Sequence, residues 1–294
     1  MLFPKHIRRR LSQLARDQAA KEADAPEAVV APPATPSRVG LEDISKERLR
    51  SRLRRMAGAP APARAYGPPQ PLEALLSGEV AETEEGSVLV LRQAGSECCD
   101  WAEEVAAKLA AAREQLAAHG AAELERVVLL DLETAGLTNA PVFLTGLLRW
   151  REGQLQLEQI TARHYAEEAA LLARSAEALA ESDLLITFNG RTFDVPMLKD
   201  RAIYYRRPAL RVPRHVDLLP LARKRFKGHL PDCKLQTLET HVCGRRRTDD
   251  IPGERIPDVY HEYVATQDGN LLVPVCRHNL LDLITMAELV GELL

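Results

Sequence analysis

The chain has 294 residues and a formal net charge of −3 at pH 7, and its aromatic fraction is only 4 %. This length is ample for one large domain, or two small ones, with a buried core. No apolar run reaches the roughly 20 residues of a membrane span, and the first residues lack the apolar core of a secretory signal. We therefore expect a cytoplasmic protein with no membrane partner. The five cysteines show no paired C-x-x-C spacing, which argues against a structural zinc site.

The charge is uneven along the chain. Residues 1–66 carry 14 Lys and Arg against 7 Asp and Glu. A basic arm can attract phosphates without sequence preference, although a merely solvated arm is an equal alternative. Residues 18–40 are rich in Ala, Pro and Glu and predict a linker, and residues 41–56 predict a short helix. We expect residues 1–71 to form a largely disordered basic arm and residues 72–294 to form the folded domain.

From residue 72 onward the pattern of apolar residues predicts an α/β domain. A small hairpin comes first, followed by an Ala-rich helix that ends at Gly120, and then by a strand and a second hairpin. Helices and strands alternate after that, which indicates a mixed sheet covered by helices. The predicted strands are 79–83, 87–92, 127–134, 142–150, 154–163 and 184–188. The predicted helices are 101–119, 166–181 and one with Pro196 near its start, and residues 215–226, 235–242, 257–266 and 273–294 are predicted as helices and loops.

The strand that begins at Val127 ends in two acidic residues, Asp131 and Glu133. Successive side chains of a strand alternate between its faces, so these two carboxylates project to the same side. Like charges this close repel each other unless a cation holds both in the ionised form, and hard oxygen ligands favour Mg²⁺ or Mn²⁺. A strand that simply runs into solvent often ends in the same way, so this pair alone leaves both interpretations open.

Three further residues are candidates for the same site. Asp194 follows a short strand and opens a helix, where it is either a further metal ligand or a carboxylate that stabilises the helix start. Near the C-terminus, His278 and Asp282 lie four residues apart on one helical face, a spacing that also suits a surface ion pair. Together, four carboxylates and one histidine favour a metal-dependent active site.

The order of these motifs resembles a known family. The segments LDLETAGL, ITFNGRTFDVPML and HNLLD are similar to the three motifs of the DEDD group of 3′–5′ exonucleases, within the ribonuclease H-like superfamily. The second segment also resembles that of family B DNA polymerase proofreading domains. The block from about residue 72 to residue 294, with HVDLLPLARKRF, LPDCKLQTLE and DDIPGERIPDVYHEY, resembles the YprB-type ribonuclease H-like proteins of bacteria.

The resemblance implies a fold and a site. The fold is a five-stranded mixed sheet, whose first three strands are antiparallel, flanked by helices. The four metal-binding carboxylates are Asp131, Glu133, Asp194 and Asp282, and His278 stands where the group has its general base, although at the spacing of the tyrosine-containing members. Asp217 has a structural or supporting role at most.

We expect two-metal hydrolysis of phosphodiester bonds, with the two Mg²⁺ or Mn²⁺ ions about 3.5 to 4 Å apart and no small-molecule cofactor. Asp131 bridges the ions, Glu133 and Asp282 complete the site of one, and Asp194 serves the other. His278, with an ordinary pKa near 6.5, accepts a proton from water.

The expected partner is nucleic acid, DNA or RNA, in single-stranded form. Thr134, Asn189 and Arg191 are predicted to contact the strand, and Phe193 (or Phe188) either stacks on a base or belongs to the core. The loop from Arg245 to Asp250 either touches the nucleic-acid backbone or is a solvated, self-compensating loop. Two rival functions remain: a catalytically inert nucleic-acid-binding module of the same fold, and a structure-specific endonuclease.

Overall fold

A computed structural model describes residues 68–98, 101–137 and 139–294. The predicted linker and short helix lie outside these residues, as does the predicted basic arm up to residue 67, so the domain boundary near residue 72 stays a prediction. Among the described residues, no helix combines the length and the apolar character that crossing a membrane requires.

The described residues form a mixed sheet of seven strands in the order β1-β2-β5-β4-β3-β6-β7. The pairs β1-β2, β2-β5, β5-β4 and β4-β3 are antiparallel, and the pairs β3-β6 and β6-β7 are parallel. The predicted α/β class is confirmed. The strands are β1 Gly78–Thr83, β2 Gly86–Ala94, β3 Val127–Thr134, β4 Val142–Arg151, β5 Gln154–Thr161, β6 Leu184–Thr187 and β7 Arg214–Asp217.

The expected number of five strands was wrong, because the N-terminal hairpin joins the sheet. Its second strand, β2, pairs with the edge of β5 and buries Val88 to Leu91. A two-stranded hairpin is at best marginally stable alone, so its apolar residues favour this pairing. The strand β7 was also missed, because three of its four residues lie in the segment 215–226, which the sequence pattern assigned to helix and loop.

Helices cover both faces of the sheet. The predicted helix over residues 101–119 is interrupted at Ala112. A π-helical turn, Glu239–Cys243, follows the short helix Leu235–Leu238. The helices are α1 Leu72–Leu75, α2 Gly95–Cys98, α3 Ala102–Ala111, α4 Arg113–Ala118, α5 Glu168–Ala180, α6 Asp194–Tyr204, α7 Leu218–Phe226, α8 Leu235–Leu238, α9 Ile256–Thr266 and α10 Val273–Leu293.

The strand β3 lies inside the sheet and is buried on both faces. Val128 and Leu130 belong to one core, where Tyr260 of α9 stacks on Phe143 with 3.9 Å between the ring centroids. Leu129 belongs to the opposite core, together with Leu283 of α10. Burial on both faces explains why this strand begins as a continuous apolar run.

The parallel strands β3, β6 and β7 direct their C-terminal ends to the same edge of the sheet. The last residues of β3 include Asp131 and Glu133, β6 runs into the turn at Asn189, and β7 ends at Asp217. Ligands of open α/β sheets bind outside the C-terminal ends of the strands. The candidate residues therefore lie where such folds bind ligands.

Candidate active site

Asp131 and Glu133 lie at the end of β3, both half-buried. Burial raises the pKa of Asp131 well above its usual range, and the charges of Asp282, Glu133 and Asp194 raise it further. Burial also raises the pKa of Glu133 to about 8, against the opposing effect of His278. Negative charge at this edge is therefore costly, and a cation would relieve that cost.

Asp194 joins the start of α6 to β3. It is buried, and its Oδ1 accepts a hydrogen bond of 3.1 Å from the backbone N–H of Leu132. Burial raises the pKa of Asp194 to about 7, because the backbone hydrogen bonds that it accepts offset the effect only in part. The carboxylate thus lies beside Asp131 and Glu133 rather than at a solvent-exposed helix start.

Asp217 organises the turn that precedes Asp194. Its Oδ1 accepts hydrogen bonds from the backbone N–H groups of Asn189 (2.8 Å) and Leu219 (3.0 Å), and its Oδ2 accepts one from Arg191 (3.1 Å). Asn189 has a left-handed φ of 68°, a conformation that asparagine tolerates better than most residues. At Gly190 a Cβ would lie 2.3 Å from Oγ1 of Thr187. Asp217 therefore caps α7 and holds the turn, which agrees with the structural role predicted for it.

The helix α10 brings His278 and Asp282 to the same edge. His278 is buried, its Nδ1 lies 2.9 Å from Oδ1 of Asp250, and its Nε2 lies 3.6 Å from Oδ2 of Asp282. Burial by itself lowers the pKa of His278, but the hydrogen bond with Asp250 and the charges of Asp282 and Glu133 outweigh burial and raise it. The interpretation of His278 and Asp282 as a surface ion pair is therefore wrong, because the histidine is inside the protein.

Sequence reasoning missed Arg247 as part of this cluster. Its guanidinium donates to Oδ1 of Asp282 (2.5 Å), to Oε2 of Glu239 (2.5 Å) and to Oδ2 of Asp250 (3.2 Å). Only 6 % of the Arg247 side chain is exposed. The loop from Arg245 to Asp250 is therefore not simply solvated. Its mixed charges gave no indication of burial, because only Asp250 belongs to the same loop, while Glu239 precedes it and Asp282 lies 35 residues further along the chain.

The chemistry of the donors fits a hard divalent cation, because all of them are carboxylate oxygens and the charges of Asp282, Glu133 and Asp194 add to burial in raising the pKa of Asp131. The positions of these carboxylates, however, do not form a metal site in the structure. Within residues 68–98, 101–137 and 139–294, no three His, Cys, Asp or Glu side chains are placed so that they could hold a metal ion. Asp282 is paired with Arg247 instead.

The residues predicted to contact nucleic acid differ in their exposure and in the hydrogen bonds that they already make. Asn189 and Arg191 are exposed, but Nη2 of Arg191 donates to the backbone oxygen of His215 at 2.8 Å. Thr134 is buried and its hydroxyl donates to the backbone oxygen of Gly136 at 2.7 Å. Phe193 is half-buried and packs against the core that contains Leu130, and Phe188 packs against the other core.

The family model shows the class of this protein. Residues 128–294 match the family model of the RNase H superfamily. The chain therefore belongs to the RNase H superfamily.

Within that superfamily the chain is similar to a YprB protein, which confirms the resemblance that the sequence motifs indicated. It is 32 % identical over 166 residues to the "Uncharacterized protein YprB" of Bacillus subtilis (strain 168), an alignment that covers 54 % of this chain and 40 % of the relative. The matched part thus spans two fifths of the length of this relative.

The fold also resembles the family B DNA polymerase of the archaeon Pyrobaculum calidifontis. The TM-score is 0.46 and the sequence identity is 17 %, over 57 % of this chain and 24 % of the polymerase. A similarity of this size is too small to indicate a shared function.

Proposed function

We propose that this protein is a metal-dependent 3′–5′ exonuclease that hydrolyses phosphodiester bonds of single-stranded nucleic acid. The observation that carries the proposal is the group of acidic side chains at the end of β3. Asp131, Glu133 and Asp194 come from two elements, burial raises the pKa of each carboxylate above its usual range, and the charge of Asp282 raises all three further. Membership of the RNase H superfamily and its nucleic-acid chemistry support the same conclusion.

Asp131, Glu133, Asp194 and Asp282 are the residues that would hold two Mg²⁺ or Mn²⁺ ions. When bound, such ions generate hydroxide from water at neutral pH and stabilise the leaving oxygen. Retaining four acidic groups at one edge without a cation is costly, which supports binding over an incidental arrangement.

His278 is the proposed general base. Its Nδ1 faces Asp250, which fixes the ring so that Nε2 points toward Asp282. A histidine whose one nitrogen donates to a carboxylate keeps the other nitrogen available to accept a proton. Asp250 therefore serves to orient the base.

The substrate contacts are proposed for the residues around the turn before α6. Asn189 and Arg191 are exposed and lie next to Asp194 in the chain, where they can meet the sugar or the phosphate. Thr134 follows Glu133 directly and is proposed to contribute through its backbone, since its hydroxyl already bonds to Gly136. Phe193 packs partly into the core, so only its remaining exposed edge can meet a base.

One observation favours a second candidate function, an inert nucleic-acid-binding module. Arg247 supplies a positive charge to Asp282, and in a protein that binds no metal this pairing would be permanent. The two functions differ in whether a divalent cation displaces the pairing. They therefore predict different products in one assay.

The test incubates the full chain with 5′-labelled single-stranded DNA or RNA in the presence of Mg²⁺, Mn²⁺ or a chelator. We expect a ladder that shortens from the 3′ end and requires the metal. Internal cuts would indicate an endonuclease, and binding without products would indicate the inert module.

The variant Asp131→Asn removes one charged ligand and should lower the cleavage rate by roughly 10³-fold, because a metal contributes several kcal/mol to the transition state. The exposed residue Asp200 of α6 provides the matched control, and Asp200→Asn should cleave like the wild type. If circular dichroism shows that both variants are folded and Asp131→Asn cleaves at an unchanged rate, the assignment of Asp131 as a metal ligand is wrong.

A further inference from the structure

A row of three residues crosses the sheet beside the acidic edge. Asp131 of β3 pairs in register with Gly146 of β4, and Gly146 pairs with Gln159 of β5. Residues directly opposite each other in neighbouring strands lie on the same face of the sheet. Asn279 of α10 lies over this row, fully buried, and Gln159 is only 2 % exposed.

Gln159, Asn279 and Asp131 form one chain of hydrogen bonds. Nε2 of Gln159 donates to the backbone oxygen of Cys276 (2.7 Å) and to Oδ1 of Asn279 (2.9 Å). Nδ2 of Asn279 donates to Oδ2 of Asp131 (2.9 Å) and to the backbone oxygen of Asp131 (3.2 Å). Since Oδ1 of Asn279 faces a donor, its NH₂ group must face Asp131. Gln159 thereby sets the direction in which Asn279 donates.

Gly146 provides the space for this arrangement. A Cβ at position 146 would lie 2.0 Å from Oδ1 of Asn279 and 2.7 Å from its Cγ. Glycine inside a strand weakens the strand, and it often marks a place where another group approaches the backbone closely. Here the group that approaches is the amide of Asn279.

Packing alone does not account for these residues. Burying two amides costs free energy unless each is hydrogen-bonded, and apolar residues of the same size would fill the space without that cost. Instead, the two amides form a chain of hydrogen bonds whose last acceptor is one carboxylate oxygen of Asp131, Oδ2. Among the described residues, no hydrogen bond reaches the other carboxylate oxygen, Oδ1.

We propose that Asn279 is a positioning residue for Asp131, held in place by Gln159 across the space that Gly146 leaves open. It holds Oδ2 and thereby presents Oδ1 to a divalent cation. This inference rests on the proposed nuclease function, since it gives Asp131 the role of a metal ligand. Residues that orient a metal ligand typically contribute 10- to 100-fold to metal affinity.

The test is calorimetric titration of the full chain with Mn²⁺. Asn279→Leu keeps the volume but removes the donor, and we expect it to weaken Mn²⁺ affinity by about 10- to 100-fold. Gln159→Met removes only the group that orients Asn279, so it should weaken affinity by a smaller factor. The control Ser175→Ala breaks another buried hydrogen bond, 3.0 Å to Thr145, and should leave the affinity unchanged.

A second measurement follows the side-chain NH₂ resonances of Asn279 during titration with Mg²⁺, and these resonances should shift as the metal binds. A folded Asn279→Leu that binds Mn²⁺ as tightly as the wild type would overturn the inference and leave the nuclease proposal intact. If Asn279→Leu does not fold, Gln159→Met takes its place, and a folded Gln159→Met that binds Mn²⁺ as tightly as the wild type would overturn the inference. Absence of Mn²⁺ binding by the wild type would overturn both proposals.

Discussion

Replacing Arg247 by Met should strongly destabilise the metal-free protein. The guanidinium of Arg247 contacts Asp282 and Glu239 at 2.5 Å each and Asp250 at 3.2 Å. The exposed fractions of these side chains are small: 3 % for Glu239, 11 % for Asp250 and 17 % for Asp282. Methionine fills the space of the aliphatic stem but supplies no charge.

The magnitude follows from the groups left behind. Asp250 keeps its hydrogen bond with His278, whereas Glu239 loses its ion pair with Arg247 and Asp282 loses its closest one. Breaking a buried ion pair by removing one partner costs about 3 to 5 kcal/mol, because a charge remains buried without its partner. For a domain of this size that corresponds to a fall of roughly 6 to 20 °C in Tm.

The assay is urea unfolding at pH 7 with a chelator present, followed by circular dichroism. The matched control is Arg92→Met, because Arg92 also bonds two carboxylates, Glu79 and Glu158, but its side chain is 46 % exposed. This control should lose less than about 1 kcal/mol. An equally small loss in Arg247→Met would refute the inference that the buried ion pairs form in solution.

Two further predictions concern Glu133 and Tyr260. Because burial raises the pKa of Glu133 to about 8, its ionisation between about pH 4.5 and pH 8 costs the folded, metal-free protein stability. The stability of Glu133→Gln relative to the wild type should therefore increase as the pH rises from 5 to 8.5. If the variant and the wild type differ in urea midpoint by the same amount at both pH values, the prediction is contradicted. The hydroxyl of Tyr260 is buried without a hydrogen-bond partner among the described residues, so Tyr260→Phe should stabilise the protein by about 1 kcal/mol. A loss of stability in the same unfolding assay would show that the hydroxyl has a partner.

Periodicity predicted the elements that carry strong local patterns. The continuous apolar run before Asp131 indicated a buried strand, and the structure buries β3 on both faces. The hairpin on either side of Glu152 was also predicted, and so was the helical spacing of His278 and Asp282 within the C-terminal segment. The strand β7 was missed because Val216 is its one apolar residue, whereas β6, of the same length, begins with three; the place of β7 is decided by pairing with β6.

The residues of the candidate site also divide into those that the sequence indicated and those that it did not. Asp131, Glu133, Asp194, His278 and Asp282 stand out in the sequence because carboxylates and histidine lie next to apolar segments with strand or helix character. Arg247 and Asp250 do not, since a mixed-charge segment has the same appearance whether it is solvated or buried. Their role depends on contacts with Glu239, Asp282 and His278, which no local pattern contains.

The sequence by itself determined the class of fold and the order of the acidic motifs. Local rules suffice for these, because strand alternation and helix spacing act over a few residues. Only the tertiary structure decided that Gly146, Gln159 and Asn279 meet beside Asp131, and that Arg247 pairs with Asp282. Strand register and helix docking bring together residues more than 100 positions apart in the chain, as between Asp131 and Asn279.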